Sequence, residues 1–369
     1  MNAPVDVAQH RAEASSKYGI IDCDVHPYPK AGALNKYLSE RWRKHVAEYG
    51  QMTAGVYAAR GTYPRFSPNT SRRDSWPPNG GAPGSDVDFI REQLLDPYNI
   101  TYGVLEPLLG GNTSRNLDEA AALCSAMNDW QAQEFVDPEP RLRASILVPA
   151  EDPPAAIREI EKRAGDWRFC QIQLGSKTSE PLGRRKYWPI FEAALKHGFS
   201  IGLHIGGTQS SAPSPSGWPQ FYIEDHQMLT HSMMNQATSL ILEGVFDRFP
   251  ELKIVLIEGG FGWVPTLGWR LDAHWSKMRD EVPDLQRKPS EYLKTNLWYA
   301  TQPVEEPEHP DDLRKVFEWI GWDRMVYSSD YPHWDFDDPH LAWRFQMTEV
   351  EKRNLLHDNA LAVYSFKQD

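Results

Sequence analysis

Short apolar or β-branched runs recur along the chain, each bounded by Gly, Pro or a polar cluster. They are Gly19 to Val25, Thr101 to Glu106, Arg143 to Val148, Phe169 to Leu174, Ser200 to Ile205, Lys253 to Glu258, Asn296 to Ala300 and Arg324 to Ser328. Each is too short for a helix and reads as a buried strand. Between them lie stretches with helical periodicity: Phe89 to Leu95, Leu117 to Val136, Pro153 to Arg163, Trp188 to His197, Met233 to Phe249 and Pro310 to Ile320. Near the end, Thr348 and Glu351 have capping-box spacing ahead of Leu355, Leu356, Leu361 and Val363. Strand–helix alternation through eight strands predicts an α/β fold with parallel strands, closed as a (β/α)8 TIM barrel. An open doubly wound sheet is the rival, but no Gly-rich phosphate loop follows any of the strands.

Tyr49 to Asp88 breaks the rhythm, being rich in Gly, Pro, Ser and Arg without sustained periodicity. It follows the first strand, so in a barrel it belongs to the face that carries active sites. The expected organisation is a flexible segment over 1–17 and a single barrel over 18–369, with 49–88 as a lid-like insertion. Arg60, Arg65, Arg72 and Arg73 in that insertion are candidates to meet an anionic substrate, although loop arginines are more often simply solvated.

Composition narrows the function. The net charge of −12 makes nucleic-acid binding unexpected, because an acidic surface repels phosphate. No apolar run is long enough for a membrane span or a signal peptide, so a cytoplasmic protein is expected. Cys23, Cys124 and Cys170 are widely spaced and read as buried free thiols. Several of the 14 Trp flank candidate site positions, where they would suit a flat small-molecule substrate.

Polar residues that suit a cation gather at strand ends. Asp24 and His26 close the first strand, and their i, i+2 spacing puts both on one side. His204 ends the fifth strand, and Asp330 follows the eighth. A lone strand-end histidine is more often a satisfied hydrogen-bonding group, and a lone Asp is often a helix cap. Strands one, five and eight, however, point these groups at one mouth. Two imidazoles with two carboxylates suit one divalent ion, zinc as the first expectation and manganese as the second.

These motifs resemble the amidohydrolase superfamily, in its "amidohydrolase 2" branch related to aminocarboxymuconate-semialdehyde decarboxylase. The resemblance runs from Ile21 to the C-terminal helix. It rests on Asp24-Val25-His26, His204, Leu240 to Pro250 with Leu252-Lys253-Ile254-Val255, Pro265 to Asp272, and Ser329-Asp330-Tyr331-Pro332-His333. It implies a mononuclear site held by Asp24, His26, His204 and Asp330. It also implies a homodimer or higher homo-oligomer in which Arg270 reaches the neighbouring subunit's pocket. On its own residues, Arg270 equally reads as a surface group pairing with Asp272 or Glu281. His333 is a candidate for orienting substrate; His226 and His231 are weaker ones.

Many relatives carry His-Gly-Gly after the sixth strand, whereas this chain has Glu258-Gly259-Gly260. A carboxylate there accepts a proton from water readily, and donates one to carbon only when burial or a neighbouring carboxylate raises its pKa. The expected reaction is therefore hydrolysis of a small aromatic or conjugated substrate by an activated water, with Glu258 and Asp330 as catalytic groups; Glu258 also reads as a fifth metal ligand or as a structural residue. The alternative is non-oxidative decarboxylation of an aromatic or enoic acid.

Overall fold

The computed structural model describes residues 18–50, 66–111, 114–207, 212, 214 and 216–366. The expected eight strands all form: β1 Ile20–Val25, β2 Ile100–Leu105, β3 Leu142–Leu147, β4 Phe169–Lys177, β5 Ser200–Gly207, β6 Ile254–Ile257, β7 Leu297–Ala300 and β8 Met325–Val326. They pair in parallel in chain order, so the doubly wound alternative falls. The seam between β8 and β1 is drawn together by Cys23 N–H donating to Tyr327 O (3.0 Å) and by a parallel bridge between Val25 and Tyr331.

Ile21, Cys23, Val104, Cys170, Val255, Ile257, Trp298, Ala300 and Val326 form an apolar cluster separate from the larger core under the helices. Val363 and Tyr364 join it from the C-terminal segment. With the interior filled by apolar side chains, the polar groups gather at the strand C-termini, the usual division of labour in this architecture. All three cysteines are buried and free, as expected.

The helices Pro153–Arg163, Trp188–His197 and Pro310–Ile320 match their predicted bounds. Thr348 and Glu351 make both halves of the capping box. Helices Glu40–Tyr49, Val264–Met278 and Pro289–Thr295 went unpredicted: the first has no buried residue and the second hides its period under six-residue aromatic spacing. The helix predicted from Met233 starts well before it, at Tyr222.

Arg60, Arg65 and the segment 1–17 lie outside the described residues. The described part of the insertion is strapped to the loop after β8: Arg72 N–H donates to Pro332 O (2.9 Å), and Trp334 N–H donates to Thr70 O (2.8 Å). Gly84 sits against the β1 end, with φ 75°, and a Cβ there would fall 2.2 Å from the His26 carbonyl oxygen. Arg72 is spent on Asp74 (2.6 Å) and the Phe336 ring, and Arg73 donates to Phe66 O (3.2 Å).

Candidate metal centre

Four strand ends converge on one buried cluster. His26 Nε2 lies 3.2 Å from Asp24 Oδ1 and 2.7 Å from Asp330 Oδ1. His204 Nε2 lies 2.9 Å from Glu258 Oε2 and 3.8 Å from Asp24 Oδ2. The sequence-predicted set Asp24, His26, His204 and Asp330 is thus brought together, with Glu258 beside it.

Each histidine is oriented through its other nitrogen. His26 Nδ1 lies 2.6 Å from Glu106 O, and His204 Nδ1 lies 2.7 Å from Ile205 O. Only a protonated Nδ1 can donate to a carbonyl, so both rings turn an Nε2 lone pair inward in their neutral form, as ligand histidines do. Both Nε2 atoms and both Asp24 oxygens are buried without an aligned hydrogen bond. Orphaned donor atoms facing one point are what a bound cation would satisfy.

Charge makes the same demand. Burial pushes Asp24 and Asp330 well above the usual carboxylate range, and Glu258 adds to both shifts. Burial opposes a charge on His204, yet the Asp24 and Glu258 carboxylates outweigh it and push the imidazole up to about 10. Burial holds His26 well below its ordinary value, helped by His333 and His204. Three carboxylates against two imidazoles is an excess of buried negative charge, and the residues fit one divalent cation.

The backbone works to present two of these groups. Glu258 and Asp330 both adopt left-handed φ, 58° and 60°, which non-glycine residues seldom adopt outside functional sites. Around Glu258 the loop is pinned: Glu305 Oε1 accepts from Phe261 N–H (2.8 Å) and Gly262 N–H (2.5 Å). A Cβ at Gly259 would fall 2.7 Å from the Met233 side chain, which explains the small residue after Glu258. Asp330 is held by the β1–β8 seam, where Asp22 Oδ1 accepts from Ser329 N–H (2.9 Å) and Asp24 N–H (3.2 Å), and Oδ2 accepts from Ser329 Oγ (2.5 Å).

A cavity of about 210 Å³ opens from the cluster and includes His204, Glu258 and His333 in its lining. His333 stacks on His26 with ring centroids 4.4 Å apart and lies 2.5 Å from Asp330 Oδ1 through Nδ1. The far wall is Tyr222, His226, Trp334 and Asp335. Of these, sequence reasoning reached only His226, because the others face the site through long-range packing. Gln302, which donates to Asp330 Oδ2 (3.0 Å), stands two residues past β7 and was open to the same strand-end reasoning that found the clustered residues.

Arg270 is exposed on helix Val264–Met278 and does not line this cavity. Its expected partner Asp272 instead accepts from Ser290 N–H (2.9 Å) and Oγ (2.7 Å). His231 also lies outside the lining.

Comparison with known proteins agrees with this geometry. A family model described as amidohydrolase matches residues 21–366. Gamma-resorcylate decarboxylase of Polaromonas sp. is 26% identical over 282 residues, 72% of this chain and 83% of the relative. The 2-amino-3-carboxymuconate-6-semialdehyde decarboxylase of Dictyostelium discoideum is 24% identical over 280 residues, covering 74% of this chain and 75% of that one. Among solved structures, an amidohydrolase of Mycobacterium avium subsp. paratuberculosis superposes with TM-score 0.72 at 22% identity, over 94% of this chain and 99% of that one. A dihydroxybenzoic acid decarboxylase of Polaromonas sp. with bound manganese and 2-nitroresorcinol gives 0.66 at 20% identity, over 94% and 97%. The expectation of hydrolysis is corrected by the relatives named as decarboxylases. A carboxyl group can donate a proton as well as accept one, so the residue type at position 258 does not by itself select hydrolysis.

Proposed function

Because the chain belongs to the amidohydrolase family, we propose that it is a metal-dependent, non-oxidative decarboxylase of a small aromatic acid. The observation that carries this reading is the grouping of Asp24, Asp330 and Glu258 in one buried mouth beneath an aromatic-walled cavity. Asp24, His26, His204 and Asp330 would hold one divalent ion. Manganese is favoured over zinc, since the set has oxygen and imidazole donors without thiolate, and the Polaromonas relative was solved with manganese. When bound, the ion supplies positive charge that holds the substrate carboxylate and draws electron density from the ring.

Glu258 lines the cavity and is the group that relays a proton from solvent to the substrate. It delivers that proton to the ring carbon bearing the carboxylate. The carbon–carboxyl bond then breaks, its electron pair returns to the ring, carbon dioxide leaves, and solvent reprotonates Glu258. Overall, an aromatic carboxylate and one proton give the arene and carbon dioxide. His333 holds Asp330 in place and closes the site's edge with its ring on His26. A homodimer accompanies this reading, with the exposed Trp269 and Arg270 on the subunit contact; sedimentation at micromolar concentration checks it.

The deciding experiment incubates manganese-loaded protein with a panel of hydroxybenzoates in D2O. Carbon dioxide release with one deuterium at the vacated carbon is expected, and both are lost in Asp330→Ala. Metal-replete protein that releases no carbon dioxide across the panel would end the decarboxylase reading.

A further inference from the structure

Beside the metal ligands, the cavity lining has a second polar group that the reaction does not use. His226 Nε2 lies 3.2 Å from Asp335 Oδ2, and that same oxygen accepts from Gln302 Nε2 (3.0 Å). Gln302 Nε2 also donates to Asp330 Oδ2 (3.0 Å). One amide thus bridges the metal ligand Asp330 and the carboxylate that holds His226. Aromatic rings fix the imidazole from the sides: Tyr222 and Trp334 have centroids 5.9 and 5.8 Å away, and Trp334 Nε1 donates to Tyr222 OH (3.0 Å).

With Nε2 committed to Asp335, Nδ1 makes no hydrogen bond among the described residues, and His226 lines the cavity together with His204 and Glu258. We propose that His226, held by Asp335, is a substrate-recognition residue that donates through Nδ1 to an anionic oxygen of the substrate other than the carboxylate being lost. The substrate is then an aromatic acid with a second acidic oxygen, a phenolate or a second carboxylate, lying flat against Tyr222 and Trp334. This rests on the decarboxylase reading of the site.

The chemistry supports donation. The hydrogen bond to Asp335 raises the His226 pKa despite burial, which favours the form protonated at both nitrogens, the only form able to serve Asp335 and a substrate oxygen at once. Because Gln302 ties Asp335 to Asp330, the spacing between the two anchors is fixed by the fold. Benzoates with the second oxygen at different ring positions should therefore not be interchangeable.

The test is equilibrium binding, which needs no turnover. Calorimetry on the manganese holoenzyme would compare benzoate with its meta and para hydroxy and carboxy derivatives, in wild type, His226→Phe and His226→Gln. A charge-assisted hydrogen bond predicts that at least one derivative binds about 10- to 100-fold more tightly than benzoate. In His226→Phe that ratio should fall to near one, and His226→Gln, which keeps a donor, should restore part of it. Hydroxy against carboxy derivatives shows which acidic oxygen is read. A ratio that persists in folded His226→Phe, judged by an unchanged melting temperature, would overturn the proposal. So would equal wild-type affinities for every ligand, with the decarboxylase reading left standing. Wild type that binds none of these acids would overturn both.

Discussion

Gly84→Ala is expected to damage the metal centre from outside it. Gly84 has φ 75°, and a Cβ would lie 2.2 Å from the His26 carbonyl oxygen. Ordinary carbon–oxygen contacts lie at about 3.3 Å, so roughly 1 Å must be absorbed, and the obstacle is backbone. Gly165 is the control, with φ 84° and nothing within 4 Å of its Cβ position. Both substitutions carry a left-handed penalty of about 1–2 kcal/mol, and only Gly84→Ala adds an overpacking cost of about 1–3 kcal/mol. At about 2 °C per kcal/mol for a chain of this size, Gly165→Ala should lower Tm by about 2–4 °C and Gly84→Ala by about 4–10 °C. The shift also falls on His26, so manganese affinity should drop about 10-fold or more in Gly84→Ala alone. Melting with and without manganese, plus metal analysis of the purified variants, reads both quantities. Equal Tm values and equal metal contents would refute the idea that this glycine exists to let the insertion approach the ligand strand.

Glu258→Gln should retain manganese, because Asp24, His26, His204 and Asp330 remain, yet lose about 10²–10⁴-fold in turnover, the usual worth of a positioned acid; unchanged turnover would remove Glu258 from the mechanism. His204→Ala should lose the metal while keeping a native circular dichroism spectrum, since barrel stability resides mainly in the interior and the opposite face. Asp22→Asn should weaken manganese binding by about 10–100-fold through misplacement of Asp24 and Asp330, as measured by competition with a chelator. At Glu139, burial raises the pKa but hydrogen bonds from Arg141 and Arg91 outweigh it and bring it down to about 2. A depressed pKa means stability present above the unfolded value near 4.5 and lost as pH falls towards 2, so acid unfolding over that window should be shallower in Glu139→Gln.

The barrel was legible because each strand is a compact apolar run cut off by Gly, Pro or a polar cluster, a signal carried within a few residues. The clustered residues were legible because the same boundaries put Asp24, His26, His204 and Asp330 at strand ends. Asp335 and Tyr222 were not, because their place on the cavity wall depends on how a helix start and a post-strand loop pack across the mouth. The left-handed backbone at Glu258 and Asp330 leaves no mark that composition or period can read. Arg72 shows the converse error: a cation in an active-site insertion looks available in sequence, while the structure spends it on Asp74 and Phe336. The reaction was misread because a carboxyl group serves both as acid and as base, so the residue type at position 258 leaves the two reactions undivided, and only the decarboxylase relatives separate them.

The seam between the first and last strands has a consequence for biosynthesis. Asp22 and Ser329, whose contacts set Asp24 and Asp330 in place, are 307 residues apart in the chain. A growing polypeptide therefore exposes Asp24 and His26 long before Ser329 and Asp330 emerge, and the paired strand ends cannot form until β8 has been made. A chain that stops short of β8 would lack Asp330 and the Asp22–Ser329 contacts that set the site, and should stay unloaded.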